Sequence, residues 1–493
     1  MQEKIWSEIK KHLLTYLFLT LILLGATYVR VANTKEILGF YYDQGRDALV
    51  IWNLLHKGQM FLIGPTTGIA GIFRGPWYYW LITPFYFLGR GNPVWPANFL
   101  ALTAVAAIFI LYILGKEIFD RPTGLIAAGI ASFSYYMIVS ARWLSNPTPM
   151  LLISMFLVLC MYLASKGKAW TWPLIGFLLG MSIQFGSAAE VFYIPAVLIF
   201  AFWQRKKLPS VRIIFLSVFL FLISFFPQAI FDVRHGGILS GNIAKFLFSE
   251  GSFKLSFWEV LKLRLNLYWE MFSSKIWIGQ ASQFTVFFLI SLSMIALNLK
   301  ELWRKDGFRI LVLLGASPLI AMIFFQGNDG NVYDYYFTGY YLIYILVFSV
   351  GLGVLVRNKL GIVILAVFFL LFFQMQIPAI KSYLANGRSN VNFKEQMLAI
   401  DWIYKDANGE KFNVDVYVPP VIPYAYDYLF MWRGEQSSIK PSPDRVKLLY
   451  TLNEEDFPDR LGKWLTRQDI IGKIVRTASF RGIAIQRRER LNR

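Results

Sequence analysis

The most constraining feature of the sequence is a series of long apolar runs that fill most of its first 380 residues. A run of about 17–22 apolar residues can cross a bilayer as a helix, and about eleven such runs can be counted. They lie near residues 13–31, 96–115, 123–140, 149–165, 172–188, 190–203, 211–227, 281–299, 308–325, 339–356 and 360–378. The runs predict an α-helical polytopic membrane protein.

Composition agrees with this interpretation. The chain of 493 residues is 56% hydrophobic and 16% charged, whereas soluble domains average about 45–50% apolar and about 25% charged residues. The first run, 13–31, is longer than the apolar part of a signal peptide and lacks a clear cleavage site, so we expect an uncleaved first span.

The positions of Lys and Arg predict the orientation of the chain. Cytoplasmic loops carry an excess of these residues. If the N-terminus is cytoplasmic, every short inner connection carries at least two cations, as at Lys166/Lys168 and Arg357/Lys359, and the short outer connections carry almost none. We therefore expect a multi-pass protein of the cell membrane with a cytoplasmic N-terminus. The net charge of +19 is then explained by the excess of Lys and Arg in the predicted cytoplasmic loops. We therefore expect no nucleic-acid partner.

Three longer segments fall on the predicted outer side: 32–95, 228–280 and 379–493. We therefore divide the chain into a transmembrane module, 1–378, with outer loops 32–95 and 228–280, and an extracytoplasmic domain, 379–493. Within the first loop, residues 76–88 are apolar but too short to cross comfortably. They predict an interfacial or re-entrant helix.

The last segment differs in composition from the rest of the chain. Residues 392–406 have the spacing of a helix, 412–418 alternate as a strand does, and another apolar stretch lies around 471–485. The segment is therefore predicted to form a small soluble α/β domain after the last span.

The first outer loop carries a cluster of charged residues on a predicted amphipathic helix. Asp43, Arg46 and Asp47 fall on one helix face, and Ala48 and Trp52 fall on the other. This pattern is typical of a helix that lies along the membrane surface. The two acids could serve only to neutralise the cation, but their position at the mouth of a polytopic bundle favours a functional site.

Three more cations lie on the predicted outer side. Arg74 adjoins an aromatic stretch, Arg142 lies in the second outer turn, and Arg234 precedes His235 at the outer end of a span. A guanidinium group matches phosphate oxygens in a bidentate manner. The simpler alternatives are an aromatic belt, a helix boundary that ends at proline, and a histidine whose polar groups are merely satisfied.

The order of these motifs resembles a known family. The motifs are Tyr42-Asp43-Gln44-Gly45-Arg46-Asp47-Ala48, Gly64-Pro65, Gly75-Pro76-Trp77-Tyr78-Tyr79, Arg142-Trp143 with Asn146-Pro147, and Phe231-Asp232-Val233-Arg234-His235. Over about residues 1–380 the chain resembles prokaryotic GT-C glycosyltransferases of family 39, the protein mannosyltransferase and aminoarabinose transferase-like group.

The resemblance implies a reaction and roles for particular residues. It implies inverting transfer of a sugar from a polyprenyl-phosphate donor to an acceptor hydroxyl on the outer face. The catalytic acid of the family's first outer loop maps onto Asp43. We expect the phosphate-binding residues to be Arg46, Arg74, Arg142 and Arg234, and the other substrate-binding residues to be Asp47, Tyr79, Asn146, His235 and Tyr336.

The chain departs from the family pattern at two positions. The Asp-Glu pair of protein mannosyltransferases is Asp43-Gln44 here, and Asn146 stands where many relatives have an acid. Both changes weaken the case for metal binding and for a protein acceptor. A divalent metal remains a possible cofactor with unknown ligands, and the acceptor can be a lipid, a glycan or a protein.

Other interpretations of the sequence stay open. A lipid-linked donor agrees with the lack of a glycine-rich nucleotide-binding motif. The main alternative is a polytopic lipid or sugar transporter, or flippase, without covalent chemistry, whose charges should lie near the bilayer midplane. A non-catalytic anchor for the outer domain and an oligosaccharyltransferase are two further alternatives. In every case membrane lipid is a partner.

Overall fold

The structure of the protein is a computed structural model that describes residues 2–69, 71–248, 256–279, 281–325, 331–419, 422–437 and 439–491. It is mostly helical. The first part of the chain contains α1 (Gln2–Lys11), α2 (Leu13–Val31), α3 (Thr34–Ile37), α4 (Tyr42–Lys57), α5 (Trp77–Leu88), α6 (Val94–Ile118), α7 (Arg121–Phe133), α8 (Tyr135–Ala141), α9 (Met150–Ser165), α10 (Thr171–Phe185) and α11 (Tyr193–Trp203). There follow α12 (Val211–Ile223), α13 (Phe226–Arg234), α14 (Ile238–Phe248), α15 (Phe257–Ser274), α16 (Ala281–Leu297), α17 (Leu299–Trp303), α18 (Asp306–Ala321), α19 (Tyr341–Leu355) and α20 (Lys359–Asn386).

Every apolar run predicted to cross the membrane coincides with a helix or a bent helix pair. Within the described residues, 4 helices are long and apolar enough to cross on their own: α2, α6, Asp334–Leu355 and α20. The count rises to 6 if the pairs α7–α8 and α12–α13, bent by 70° and 50°, each form one span. Shorter apolar helices, among them α9 and α10, account for further runs.

Small residues let the helices of the bundle approach closely, as is typical of packing inside membranes. A Cβ atom at Gly115 of α6 would lie 2.5 Å from the Cα of Gly124 in α7. A Cβ at Gly176 of α10 would lie 2.0 Å from the carbonyl oxygen of Ser217 in α12. These pairs bring the helix backbones into direct contact.

The C-terminal part forms the predicted α/β domain. Its elements are α21 (Phe393–Ala407), β1 (Phe412–Tyr417), α22 (Tyr424–Ser437), β2 (Leu448–Glu454), α23 (Pro458–Ile471), β3 (Gly472–Phe480) and β4 (Ile483–Arg490). The strands form one sheet in the order β1-β2-β4-β3. β1 and β2 are parallel, and the other two pairings are antiparallel. The predicted helix at 392–406 and strand at 412–418 match α21 and β1.

The C-terminal domain rests on the loop that follows the first span, through α4 and α22. A Cβ atom at Gly45 would lie 2.3 Å from the backbone nitrogen of Ala425, so only glycine allows this approach. Ala48 and Ile51 are fully buried, and Trp52 meets the edge of Tyr428 at 5.8 Å between ring centroids. The amphipathic helix is thus confirmed, but its apolar face, which we expected on the membrane surface, is instead covered by protein.

We expect Gly45→Ala to destabilise the protein by about 1–3 kcal/mol, because inserting a methyl group into a packed contact forces backbone shifts. The thermal unfolding midpoint should fall accordingly. Gly462→Ala is the matched control, since a Cβ on this exposed residue of α23 meets nothing within 4 Å. Equal midpoints for the two variants would contradict the close packing of α4 on α22.

Candidate active site

Three charged side chains of α4 form one ion-paired cluster. The Arg46 guanidinium lies between two carboxylates, with Nη1 2.9 Å from Asp43 Oδ1 and Nη2 2.7 Å from Asp47 Oδ1. Burial alone would lower the pKa of Arg46, but the carboxylates of Asp47 and Asp43 outweigh it and the pKa is raised. Arg46 is therefore a fixed positive charge.

The two carboxylates of the cluster differ in environment. The Asp43 side chain is 56% exposed, so it is open to a ligand. Asp47 is buried, and its Oδ1 accepts hydrogen bonds from Arg46 Nε at 3.0 Å and from the Tyr79 hydroxyl at 2.9 Å. Asp47 and Tyr79 thus hold Arg46, whereas Asp43 is the member of the cluster that can react.

Burial raises the pKa of Asp47 to about 6, although Arg46 and Tyr79 oppose the shift. Because this pKa lies above the ordinary value of 3.8, the carboxyl takes up a proton as the pH falls through about 6. Protonation removes the negative charge that holds Arg46. Asp47 therefore favours the folded state most below its unfolded pKa of 3.8, and this contribution is lost as the pH rises to about 6.

We expect the affinity for an anionic ligand beside Arg46 to fall as the pH drops through about 6. In Asp47→Asn this fall in affinity at acid pH (the acid limb of the profile) should be absent, and the affinity for the anionic ligand should be low at every pH in the range. The measurement is the pH profile of ligand binding from pH 5 to 8 for both proteins. An unchanged acid limb in Asp47→Asn would show that another group is responsible.

A folded loop carries Arg74 toward the α4 cluster. Residues 64–67 and 72–74 pair as the two arms of a hairpin, in which Gly64 N donates to Arg74 O at 2.7 Å and Thr66 forms a β-bridge with Phe73. A Cβ at Gly64 would lie 2.1 Å from Gly75 O. Arg74 Nε donates to Gly186 O at 3.1 Å. Burial lowers the pKa of Arg74, which favours a negative ligand beside it.

Two glutamines fix this loop to the bundle. Gly75 N donates to Gln184 Oε1 at 2.7 Å, Gln184 Nε2 donates to Gln228 Oε1 at 2.7 Å, and Gln228 Nε2 donates to Phe73 O at 2.8 Å. The chain of bonds joins α10 and α13 to both sides of Arg74. It holds the backbone on both sides of Arg74 in place without contributing a charge.

The cluster and the loop line one cavity of about 1070 Å³, here named the Asp43 cavity. Its charged and polar lining includes Asp43, Arg46, Asp47, Arg74, Asn146, Gln184, Gln228 and Asp232. Aromatic and aliphatic side chains line the rest, among them Trp143, Phe192, Ile243, Phe324, Tyr335 and Tyr336. The cavity therefore offers cations, one exposed carboxylate and an extended apolar wall.

A second cavity of about 790 Å³, here named the Lys275 cavity, adjoins the first. Trp143 and Tyr335 line both cavities. Their rings meet edge to face, with centroids 5.6 Å apart, so this aromatic pair forms part of the wall between the two spaces.

Arg142 lies in the Lys275 cavity and not in the Asp43 cavity. Its guanidinium is buried, with Nη1 3.0 Å from Val29 O and Nη2 2.8 Å from Ala32 O. The last carbonyls of a helix lack partners within that helix. Arg142 therefore binds the carbonyl groups at the C-terminal end of α2. The residues next to Arg142 in sequence gave no indication of this contact.

Arg234 and His235 lie outside both cavities. Both are exposed at the end of α13, and the His235 ring stacks on Phe231 at 4.0 Å between centroids. The residue of this motif that reaches the Asp43 cavity is Asp232. Arg234, two positions after Asp232, falls on another side of the helix. His235 lies beyond the last residue of α13 and does not continue its face.

The remaining predicted substrate-binding residues come near the Asp43 cluster. Asn146 and Tyr336 line the Asp43 cavity. The Asn146 side chain is oriented by its bond to Phe185 O at 2.9 Å. Tyr79 lies behind the cavity, where it binds Asp47.

The described residues include no group of three His, Cys, Asp or Glu side chains that could hold a metal ion. In the Asp43 cavity, the nearest charge to Asp43 and to Asp47 is the shared Arg46. The described residues of this cavity do not fit a divalent metal bound by three protein ligands.

Sequence reasoning missed several residues that shape these cavities. Glu190 is fully buried, and its carboxylate accepts from Ser187 N at 2.7 Å and Gly339 N at 2.9 Å. An acid within apolar sequence is itself a signal of function and could have revealed Glu190. Gln184, Gln228 and Lys275 gave no such signal, since they lie singly at the ends of predicted helices or loops.

Comparison with known proteins agrees with the fold. Residues 74–231 match the family described as dolichyl-phosphate-mannose-protein mannosyltransferase. Crystal structures of ArnT from Cupriavidus metallidurans are similar, at 11% identity and TM-score 0.57 with undecaprenyl phosphate bound, and at 10% and 0.60 in the apo state. In both cases 96% of this chain and 97% of the other are covered.

The oligosaccharyltransferase of Archaeoglobus fulgidus, in complex with Zn and sulfate, is also similar, at 14% identity and TM-score 0.51. The match covers 93% of this chain and 71% of the other. No curated protein sequence matches.

The chain is therefore a polytopic membrane protein with the GT-C fold, and the predicted resemblance is confirmed. Within that class the chain shares its fold with ArnT, and residues 74–231 match the protein mannosyltransferase family.

Proposed function

We propose that the protein is a membrane glycosyltransferase that moves a sugar from a polyprenyl-phosphate donor to an acceptor hydroxyl, with inversion at the anomeric carbon. One observation carries the proposal: an exposed carboxylate, Asp43, and two guanidinium groups, Arg46 and Arg74, line a single cavity with an extended apolar wall. These are the parts that such a transfer needs.

Asp43 is the proposed general base. A positioned base that accepts the proton of the attacking hydroxyl contributes about 10²–10⁴-fold to the rate. The acceptor oxygen bonds to the anomeric carbon while the bond from that carbon to the phosphate oxygen breaks. The proton goes to Asp43, and the bonding pair leaves with the lipid phosphate.

Arg46 and Arg74 are the proposed partners of the leaving phosphate. Fixed positive charges aimed at developing negative charge are usually the largest contribution to catalysis. Arg46 is held by Asp47, and Arg74 is held by Gly186 and the glutamine pair. Both cations therefore need little rearrangement when the donor binds.

The apolar wall of the Asp43 cavity suits the isoprenoid part of the donor. Ile243 of α14 and Phe324 beyond α18 line this side of the cavity. The structures of ArnT with undecaprenyl phosphate and in the apo state share this chain's fold, which supports a polyprenyl-phosphate donor. The Lys and Arg pattern supports an extracytoplasmic cavity, with Arg357 and Lys359 on the opposite side of the membrane.

Mass spectrometry of lipids that copurify with the protein tests the donor class. We expect a polyprenyl phosphate or its sugar conjugate in the wild type, and its loss when Arg46 and Arg74 are both changed to Gln. Copurification of ordinary phospholipids alone in both samples would contradict the proposal.

A further inference from the structure

The Lys275 cavity gathers more positive than negative charge. Lys275, Arg142 and Arg388 line it, together with Glu270 and Asp334. Arg30 lies behind Arg142, close enough for the two positive charges to interact. Among the described residues, Arg30 and Arg142 are bound by backbone carbonyls and have no carboxylate in an ion pair. The wall therefore carries cations that protein acids do not neutralise.

Lys275 is the most enclosed of the three cations that line the cavity, with 4% of the residue exposed. Its Nζ lies 3.0 Å from Asp334 Oδ2, and 4.4 Å and 5.6 Å from the ring centroids of Tyr341 and Tyr136. Aromatic faces stabilise a cation, but unlike an acceptor atom they do not occupy its hydrogen-bond donors. An ammonium group has three N–H donors, so the group can also bind an anionic ligand.

Burial lowers the pKa of Lys275, while Asp334 opposes the shift. A second negative charge in the cavity would stabilise the charged ammonium in the same way as Asp334 does. The positive charge of Lys275 is thus better compensated when an anion is bound in the cavity.

The rest of the lining indicates what kind of molecule carries the anion. Arg388 is exposed just beyond the end of α20 and offers a planar fork that fits phosphate oxygens. Ile37, Val139 and Leu267 add an apolar side to the same cavity. The cavity lies at one end of the membrane helices α2 and α20, where lipid headgroups are found. Charge and position together favour a phosphate on an amphipathic molecule.

We propose that the Lys275 cavity is a second phosphate-binding site, occupied by the headgroup of a membrane phospholipid and separate from the Asp43 cavity. The Trp143–Tyr335 pair lies between the two sites. This assignment does not depend on the glycosyltransferase activity, because it rests on charges and contacts of the second cavity alone.

The test measures binding of dihexanoyl phosphatidic acid to the full chain in nonionic detergent by titration calorimetry. Dihexanoyl phosphatidylcholine and inorganic phosphate are titrated in parallel. We expect phosphatidic acid to bind at least about tenfold more tightly than phosphatidylcholine, since a charge-assisted hydrogen bond contributes about 1.5–3 kcal/mol, or about tenfold and more in Kd.

Arg388→Gln and Lys275→Met should each weaken this binding about tenfold, whereas Lys381→Gln should leave it unchanged. Lys381 is the matched control, because it is an exposed cation of α20 that does not line the cavity. Arg388 is also exposed, so its variant should keep the wild-type unfolding midpoint even if Lys275→Met does not fold.

The outcomes separate the sources of the phosphate. One outcome is that inorganic phosphate binds as tightly as phosphatidic acid, in a manner that depends on Arg388. That result would support the phosphate site and identify free phosphate as its ligand. Binding that is unchanged in Arg388→Gln, or that is lost instead in Arg74→Ala, would overturn the proposal.

Discussion

Asp43→Asn is expected to reduce sugar transfer about 10²–10⁴-fold, because the variant lacks the base that accepts the proton of the acceptor hydroxyl. Binding of the donor should change little by comparison, since Arg46 keeps its ion pair with Asp47. The measurement is the rate of transfer of labelled sugar from polyprenyl-phosphate-sugar, together with donor affinity.

A matched control separates chemistry from structure. Asp401 is also a partly exposed carboxylate in an ion pair, 2.6 Å from Arg433, and it lines neither cavity. Asp401→Asn should transfer sugar at the wild-type rate, and all three proteins should unfold at similar temperatures. Undiminished turnover in Asp43→Asn would remove this residue from the mechanism.

Arg74→Ala is expected to weaken donor binding about tenfold to a hundredfold. A hydrogen bond between charged groups contributes about 1.5–3 kcal/mol, and each 1.4 kcal/mol corresponds to a tenfold change in Kd. The loss should appear with the phosphorylated lipid and be much smaller with the unphosphorylated polyprenol. The measurement is equilibrium binding of both lipids to the purified protein.

Arg234→Ala provides the comparison, because sequence reasoning gave the two arginines the same role while the structure leaves Arg234 exposed outside the cavities. We expect less than a twofold effect from this change on either lipid. If Arg74→Ala changed only the affinity for the acceptor, its role at the phosphate would be wrong.

The membrane helices could be predicted from sequence because the bilayer sets a length and an apolar composition for each span. The charged motif that follows the first span was also visible, since Asp43, Arg46 and Asp47 share a helix face. That helix is now seen as α4, and the three side chains form one ion-paired cluster. Local periodicity was enough for both predictions.

Contacts between distant parts of the chain could not be predicted in this way. The apolar face of α4 has the pattern of a membrane-surface helix, and nothing near it in sequence indicates α22 as its partner. Arg142 likewise has a side chain suited to binding phosphate, but its guanidinium donates hydrogen bonds to the backbone carbonyls at the end of α2. The hydrogen bonds of Gln184 and Gln228 also join residues far apart in sequence.

The central claim is that the Asp43 cavity performs covalent transfer from a lipid-linked sugar. The most direct measurement uses proteoliposomes that contain the full chain, polyprenyl-phosphate-linked labelled sugar and acceptor lipids extracted from the membrane, with products resolved by mass spectrometry. The account predicts a new glycosylated acceptor and free polyprenyl phosphate, both absent with Asp43→Asn. Movement of the labelled lipid across the bilayer without any covalent product would contradict it and would favour a transporter.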